Sequence, residues 1–219
     1  MKVFNIMRTV EEWGYYAGAL TSTVRILTAD DPVDAKTPNI EVGVPFITDK
    51  LVDLDASPLF VSFTGGDVLG QPKADLFNFL QVMGSAWYGI RGTERVIIHT
   101  DGQHDAVDIM SRVQHRAFTR FVFHLHPATS SPILRNMERL TREDTIVVHC
   151  NDQAGVGWGI GFLSRLSSYD ACRPTVVFTS EDTKLLSWTA CRLVEGLSSS
   201  RGKYDLRVGL PMKKVLSIR

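Results

Sequence analysis

The chain has 219 residues, 44% of them hydrophobic and 22% charged, which is enough to bury a core and is the composition of an ordinary globular protein. Twenty-four Lys+Arg balance 24 Asp+Glu and the pI is near 7.0, so no general attraction for nucleic acid, anionic membrane or acidic substrate is expected. The three cysteines, Cys150, Cys172 and Cys191, show no CxxC spacing, which argues against a disulfide framework or a cysteine zinc site and for a reducing, cytoplasmic setting.

In chain order, the segment MKVFNIMRTVEEWGYY meets charge within its first residues and offers neither a signal-peptide core nor a membrane span. Apolar runs of strand length follow at 3–7, 23–27, 58–63, 95–100, 120–126, 145–150 and 174–180. Between them lie stretches of helical character at 9–20, 73–87, 105–118, 132–140, 159–167 and 183–197. In 73–87, Leu76, Phe79, Leu80 and Met83 recur at helical spacing while Lys73, Asp75 and Asn78 take other faces. The Pro- and Asp-rich stretch 30–57 shows no sustained period and is expected to be a long connection. Residues 204–219 are expected to add an edge strand and a basic tail, with Pro211 suited to an edge.

Strands rich in Val, Ile and Phe on both sides of the pleat suit a helix-covered parallel sheet. The expected fold is therefore a single α/β domain with a predominantly parallel sheet of five to seven strands and helices on both faces, Rossmann-like or a three-layer sandwich. In such a sheet, loops after the strands' carboxyl ends gather chemistry. Those loops carry Thr64-Gly65-Gly66-Asp67, then His99 to Asp105, then His124-Leu125-His126-Pro127, then His149-Cys150-Asn151-Asp152 running into Gly157. All six histidines lie between 99 and 149.

The sharpest feature is TIVVHCNDQAGVGWGIGF, a cysteine after a buried strand and before a glycine-bearing turn into a helix. Over about twenty residues it resembles the phosphate-binding loop of the cysteine-dependent tyrosine and dual-specificity phosphatases. The resemblance implies a phosphatase-like hydrolase domain acting on a phosphoester, with a small phosphorylated ligand or a phosphoprotein as partner. It makes Cys150 the nucleophile, His149 the residue that sets its ionisation, and the backbone of Ala154, Gly155, Val156 and Gly157 the oxyanion cradle. The family's loop arginine has no counterpart, since its position is Val156, or Trp158 if two residues loop out. Its general-acid aspartate is also missing, because 109–143 contains no Asp; His126 or Asp101 takes that role. The implied hydrolase is thus active or degenerate, and no resident cofactor is called for.

Two further readings use the same rim. Imidazoles and carboxylates from His99, Asp101, His104, His124, His126, His149 and Asp152 are a donor set for a divalent metal that would activate water, although no HExxH spacing is present. A noncatalytic protein-binding or nucleotide-binding domain is the other. Here GVGWGIG over 155–161 misses the GxGxxG spacing, and Trp13, Tyr15, Tyr16, Trp87 and Tyr88 offer an aromatic binding surface.

Overall fold

The computed structural model describes residues 2–13, 17–27, 40–41, 43–53, 60–88, 95–111, 118–127, 134–137, 139–166, 174–196 and 205–209. They belong to two compact units. The first comprises Met1–Glu11, Ala19–Thr100 and Asp108–Phe121, and the second Glu12–Gly18, Asp101–Val107 and Val122–Arg219.

The first unit contains β1 (Lys2–Val10), β2 (Leu20–Ile26), β3 (Ile40–Glu41), α1 (Val44–Asp53), β4 (Phe60–Gly65), α2 (Lys73–Tyr88), β5 (Arg95–Thr100) and most of α3 (Val107–Ser111). Its strands run in the order β3-β1-β2-β4-β5. β1 is antiparallel to β2 and β3, whereas β2, β4 and β5 are parallel.

The helix expected over 9–20 does not form. β1 extends to Val10, the Glu11 N–H bonds the Ala19 carbonyl at 2.8 Å, and β2 begins at Leu20. Threonine hydroxyls join the two strands, with Thr9 Oγ1 at 3.1 Å from that of Thr21 and 2.6 Å from that of Thr23. β-branched side chains favour this pairing over a helix.

The connection expected over 30–57 holds β3 and α1, in which Val44, Ile47 and Leu51 are buried at spacings of three and four. That short apolar stripe was masked by the prolines and aspartates around it. The Thr64-Gly65-Gly66-Asp67 loop is a close-packed turn. Gly65 takes φ 92° beside the Ile26 carbonyl, the Gly66 N–H bonds that carbonyl at 3.0 Å, and Asp67 Oδ1 accepts from the Leu69 N–H at 3.1 Å. Only glycine adopts that φ without strain.

The second unit contains β6 (Thr119–Leu125) from Val122 onward, α4 (Leu134–Met137), β7 (Thr145–His149), α5 (Gln153–Leu166), β8 (Thr175–Thr179), α6 (Thr183–Gly196) and β9 (Asp205–Gly209). The order β6-β7-β8-β9 is sequential and every pair is parallel. The α/β class and the predominantly parallel strands are as expected, and each of the seven apolar runs forms a strand. The order lacks the reversal of a doubly wound sheet, and α5 packs against α6. α3 and α4 lie within the stretches read at 105–118 and 132–140, parts of which are outside the described residues, while α5 starts at Gln153, ahead of the expected 159. β9 is the strand expected in the 204–219 segment; the tail beyond Gly209, with Pro211, lies outside the described residues.

Register decides which side chains meet. Thr145, Val147 and His149 of β7 lie level with Thr175, Val177 and Thr179 of β8 on one face. Ile146, Val148, Val176 and Phe178 occupy the other face and are fully buried. α5 covers that apolar face at Gly159, where an added Cβ would lie 2.6 Å from Phe178 Cε1 and 2.9 Å from Val148 Cγ1. Helix packing thereby consumes the apolar face and leaves the imidazoles on the opposite one. Among the described residues no helix is long and apolar enough to cross a membrane.

Candidate functional site

At the carboxyl ends of β6 and β7 the second unit gathers three imidazoles. His124 and His149 face each other with Nδ1 to Nε2 at 2.9 Å. One of these nitrogens donates and the other accepts, so the bond requires an unprotonated nitrogen on one ring. His126 stacks on His149 with centroids 4.3 Å apart and planes 8° apart. Trp13, buried at 8% exposure, meets both His124 and His149 edge-on, at 6.1 and 5.8 Å. Burial, with His126 alongside, pushes the His149 pKa down to about 4. Burial also lowers His126, against the pull of Asp101. The stack is therefore neutral near pH 7.

Beside it lies Thr179, level with His149 across the β7–β8 register. It is 2% exposed, and its hydroxyl has no hydrogen-bond partner among the described residues. Buried hydroxyls are rarely left so, because desolvation without a bond costs about 1–3 kcal/mol.

The loop from Asp101 to Val107 is held from within the same unit by Asn136 of α4. That side chain is fully buried; its Oδ1 accepts from the Ala106 N–H at 3.0 Å and its Nδ2 donates to the carbonyls of His104 at 2.8 Å and Gly102 at 3.3 Å. Arg135 pairs with Asp105 at 2.6 Å, and Asp101 Oδ1 accepts from the Gln103 N–H at 2.9 Å. The loop is thus a fixed platform with His104 on its exposed side.

The thiol expected as a nucleophile is not poised for that role. Cys150 is 2% exposed, its Sγ donates to the Val148 carbonyl of its own strand at 3.7 Å, and burial, with Asp152 nearby, pushes its pKa up to about 12. At neutral pH such a group is a thiol, not a thiolate. The cradle expected at Ala154, Gly155, Val156 and Gly157 is already occupied or turned inward. Asp152 Oδ1 accepts from the Gly155 N–H at 2.7 Å and the Asp152 carbonyl from the Val156 N–H at 3.3 Å, while Gly155 to Gly157 lie within α5. A carboxylate capping the helix fills the place a phosphate would take and repels it. Asp182 caps α6 in the same way, accepting from the Lys184 N–H at 2.8 Å.

The expected metal donors do not converge as a set. His99 belongs to the first unit, where its Nε2 lies 3.3 Å from Glu11 Oε2; that carboxylate also accepts from Ser62 Oγ at 3.2 Å. In the second unit, Asp101 and His104 bring ligand atoms within 4.8 Å of each other. Among its described residues no three His, Cys, Asp or Glu side chains of that unit do so. His124 and His149 bond to each other, and Asp152 is a helix cap. Trp13 belongs to this inner cluster rather than to a surface. Tyr15 and Tyr16, and the side chains of Trp87 and Tyr88, lie outside the described residues.

Sequence reasoning missed Asn136, Thr179 and Glu11. Asn136 gave no signal. Thr179 ends a strand beside a Ser-Glu-Asp cap, which marks a strand-end loop without marking the threonine.

No family model and no curated protein matches this chain. Among solved structures it is similar to QueE from Escherichia coli, with a TM-score of 0.63 and 13% identity over 95% of this chain and 92% of that one. The likeness is one of fold. With Cys150 buried as a thiol and the N-terminus of α5 capped by Asp152, the nucleophile and cradle that a phosphatase-like hydrolase needs are not formed, and that expectation is corrected. The expectation that no cofactor is held finds no support either, since imidazole, carboxylate and unpartnered hydroxyl groups line one rim.

Proposed function

We propose that this chain is a non-hydrolytic α/β binding domain that takes a small ligand at the carboxyl-terminal rim of β6, β7 and β8 in its second unit. The observation that carries the reading is the His124–His149–His126 cluster, in which burial holds His149 and His126 neutral near pH 7, beside the unpartnered Thr179 hydroxyl. Neutral imidazoles offer both a donor and an acceptor, and their planes offer stacking area. Strand carboxyl ends are where parallel α/β sheets bind ligands.

The test follows the imidazole nitrogens by long-range proton–nitrogen NMR while small molecules of distinct classes are added to the full chain: nucleosides, carboxylates, inorganic phosphate and divalent cations. A saturable shift at His126 or His149 with one class, and no turnover of an aryl phosphate, is the expected result. Resonances unmoved by every class, or turnover abolished by Cys150→Ser, would overturn the reading.

A divalent cation as cofactor is a second reading, favoured by the approach of the Asp101 carboxylate to a His104 nitrogen within 4.8 Å. Two protein donors leave the remaining positions to water or ligand, as oxygen-preferring cations tolerate. Manganese broadening confined to the His104 resonances would support it; no broadening there would remove it.

A further inference from the structure

β9 ends the sheet of the second unit, and no strand among the described residues lies beyond it. The Asp205 N–H bonds the Pro174 carbonyl at 3.3 Å, and the parallel register sets Asp205, Arg207 and Gly209 level with Thr175, Val177 and Thr179. Successive residues of a strand turn their backbone groups to opposite sides. Asp205, Arg207 and Gly209 therefore bond to β8, while Leu206 and Val208 turn their N–H and carbonyl groups outward, where they meet no partner among the described residues. Such a row is a template for a further strand. Side chains divide in the same register. Leu206 and Val208 share the apolar face of Val176 and Phe178 but stay half-buried at its margin. Asp205 and Arg207 project from the opposite face, half-exposed and paired with each other at 2.6 Å.

Open edges are commonly blunted by exposed charge, lysine above all, because a copy of the same strand then meets like charge. β9 instead carries one charge of each sign two residues apart, a spacing complementary to itself. A two-fold axis through Leu206 sets two copies antiparallel, with Leu206 exchanging both outward backbone hydrogen bonds with Leu206 of the partner subunit. Asp205 then lies opposite Arg207 of the partner subunit, and Arg207 opposite Asp205 of the partner subunit. Those are non-hydrogen-bonded positions, where side chains come closest and opposite charges attract across the strands. A guanidinium has five N–H donors, enough for its own Asp205 and the partner's Asp205. The competing register, centred on Arg207, sets two guanidiniums directly opposite, which is destabilising. We infer that β9 is the surface through which this chain pairs with a second copy of itself, antiparallel and centred on Leu206, so that the sheets of the two second units join edge to edge. The same step buries more of Leu206 and Val208. This pairing uses no residue of the histidine cluster and is independent of the ligand reading.

The experiment is sedimentation equilibrium of the full chain across the micromolar range, repeated on Arg207→Asp and on the double variant that exchanges the two charges, Asp205→Arg with Arg207→Asp. The parent is expected to show a reversible monomer–dimer equilibrium. Arg207→Asp sets carboxylate against carboxylate at both symmetric contacts and is expected to weaken the dimer roughly tenfold or more. The exchange restores opposite charges across the interface in the Leu206-centred register alone, and is expected to recover the parent's affinity. Circular dichroism of each protein, recorded dilute, checks that the changes at these half-exposed positions leave the fold in place. A parent that is monomeric throughout overturns the inference. So does a dimer that Arg207→Asp leaves as tight as the parent's, because its interface then lies elsewhere. A dimer weakened by Arg207→Asp and not recovered by the exchange overturns it too, since the Arg207-centred register keeps carboxylate against carboxylate in both variants.

Discussion

Single residues decide the chemistry at this rim, and Cys150 shows how environment overrides identity. Sequence places a cysteine where a thiolate would be stabilised, between a strand and a helix N-terminus. The structure turns its Sγ back onto the Val148 carbonyl and gives the helix N-terminus to Asp152. Buried thiols with raised pKa are poor nucleophiles, because only the thiolate attacks. Alkylation by iodoacetamide at pH 8, read by peptide mass spectrometry, is therefore expected to label the exposed Cys191 and leave Cys150 unlabelled until denaturant is added. Rapid labelling of native Cys150 would restore the nucleophile that the geometry denies. Asn136 is the converse case, a residue whose type carries no catalytic signal and whose three hydrogen bonds nevertheless fix the loop that presents Asp101 and His104.

Elements were legible where a period was long or a strand was apolar on both faces. All seven apolar runs formed strands, and the helices α2 and α6 match their expected spans because burial at i, i+3 and i+4 is visible in the sequence. The β1–β2 hairpin was not legible, since TVEEWGYYAGAL has helix-compatible spacing and only cross-strand threonine pairing decides against it. α1 was hidden for the opposite reason, its three buried positions being too few to outweigh neighbouring Pro and Asp. The rim itself was half legible: the imidazoles at strand ends were visible, but which of them touch depends on register, which one sequence does not supply. Register also explains the glycines of GVGWGIG. Gly159 serves close packing, since an added Cβ would meet Phe178 and Val148, while Gly157 and Gly161 have open space where a Cβ would be. Gly159→Ala is accordingly expected to destabilise the protein by about 1–3 kcal/mol through overpacking, and Gly161→Ala to be neutral or stabilising by up to about 1 kcal/mol through helix propensity. Urea unfolding of the two variants checks this; equal stability would mean that α5 does not approach β7 and β8 as closely as described.

At the scale of the whole molecule, the neutral stack links ligand binding to the pH dependence of folding. In the folded chain His149 titrates at about 4, against 6.5 for an unperturbed imidazole, because burial and the adjacent His126 disfavour its charged form. His126 is lowered in the same direction. As pH falls, the unfolded chain therefore takes up these protons first, and the difference in bound protons favours unfolding. The stabilisation is complete above about pH 6.5, is lost as pH falls towards about 4, and has no further slope from His149 below that. A depression of this size corresponds to about 3 kcal/mol at most, and solvent screening of the partly exposed rings reduces it to about 1–3 kcal/mol. Urea midpoints measured from pH 7 to 4 should fall through this window with an unchanged m-value. His149→Asn, which removes the titrating group and keeps a polar side chain, should flatten most of the slope. A parent protein equally stable at pH 7 and pH 4.5, or a variant with the parent's slope, would show that His149 is not held neutral. Once protonated, His149 can only donate in its hydrogen bond with His124, so the proton uptake that lowers stability also fixes His124 Nδ1 as the acceptor.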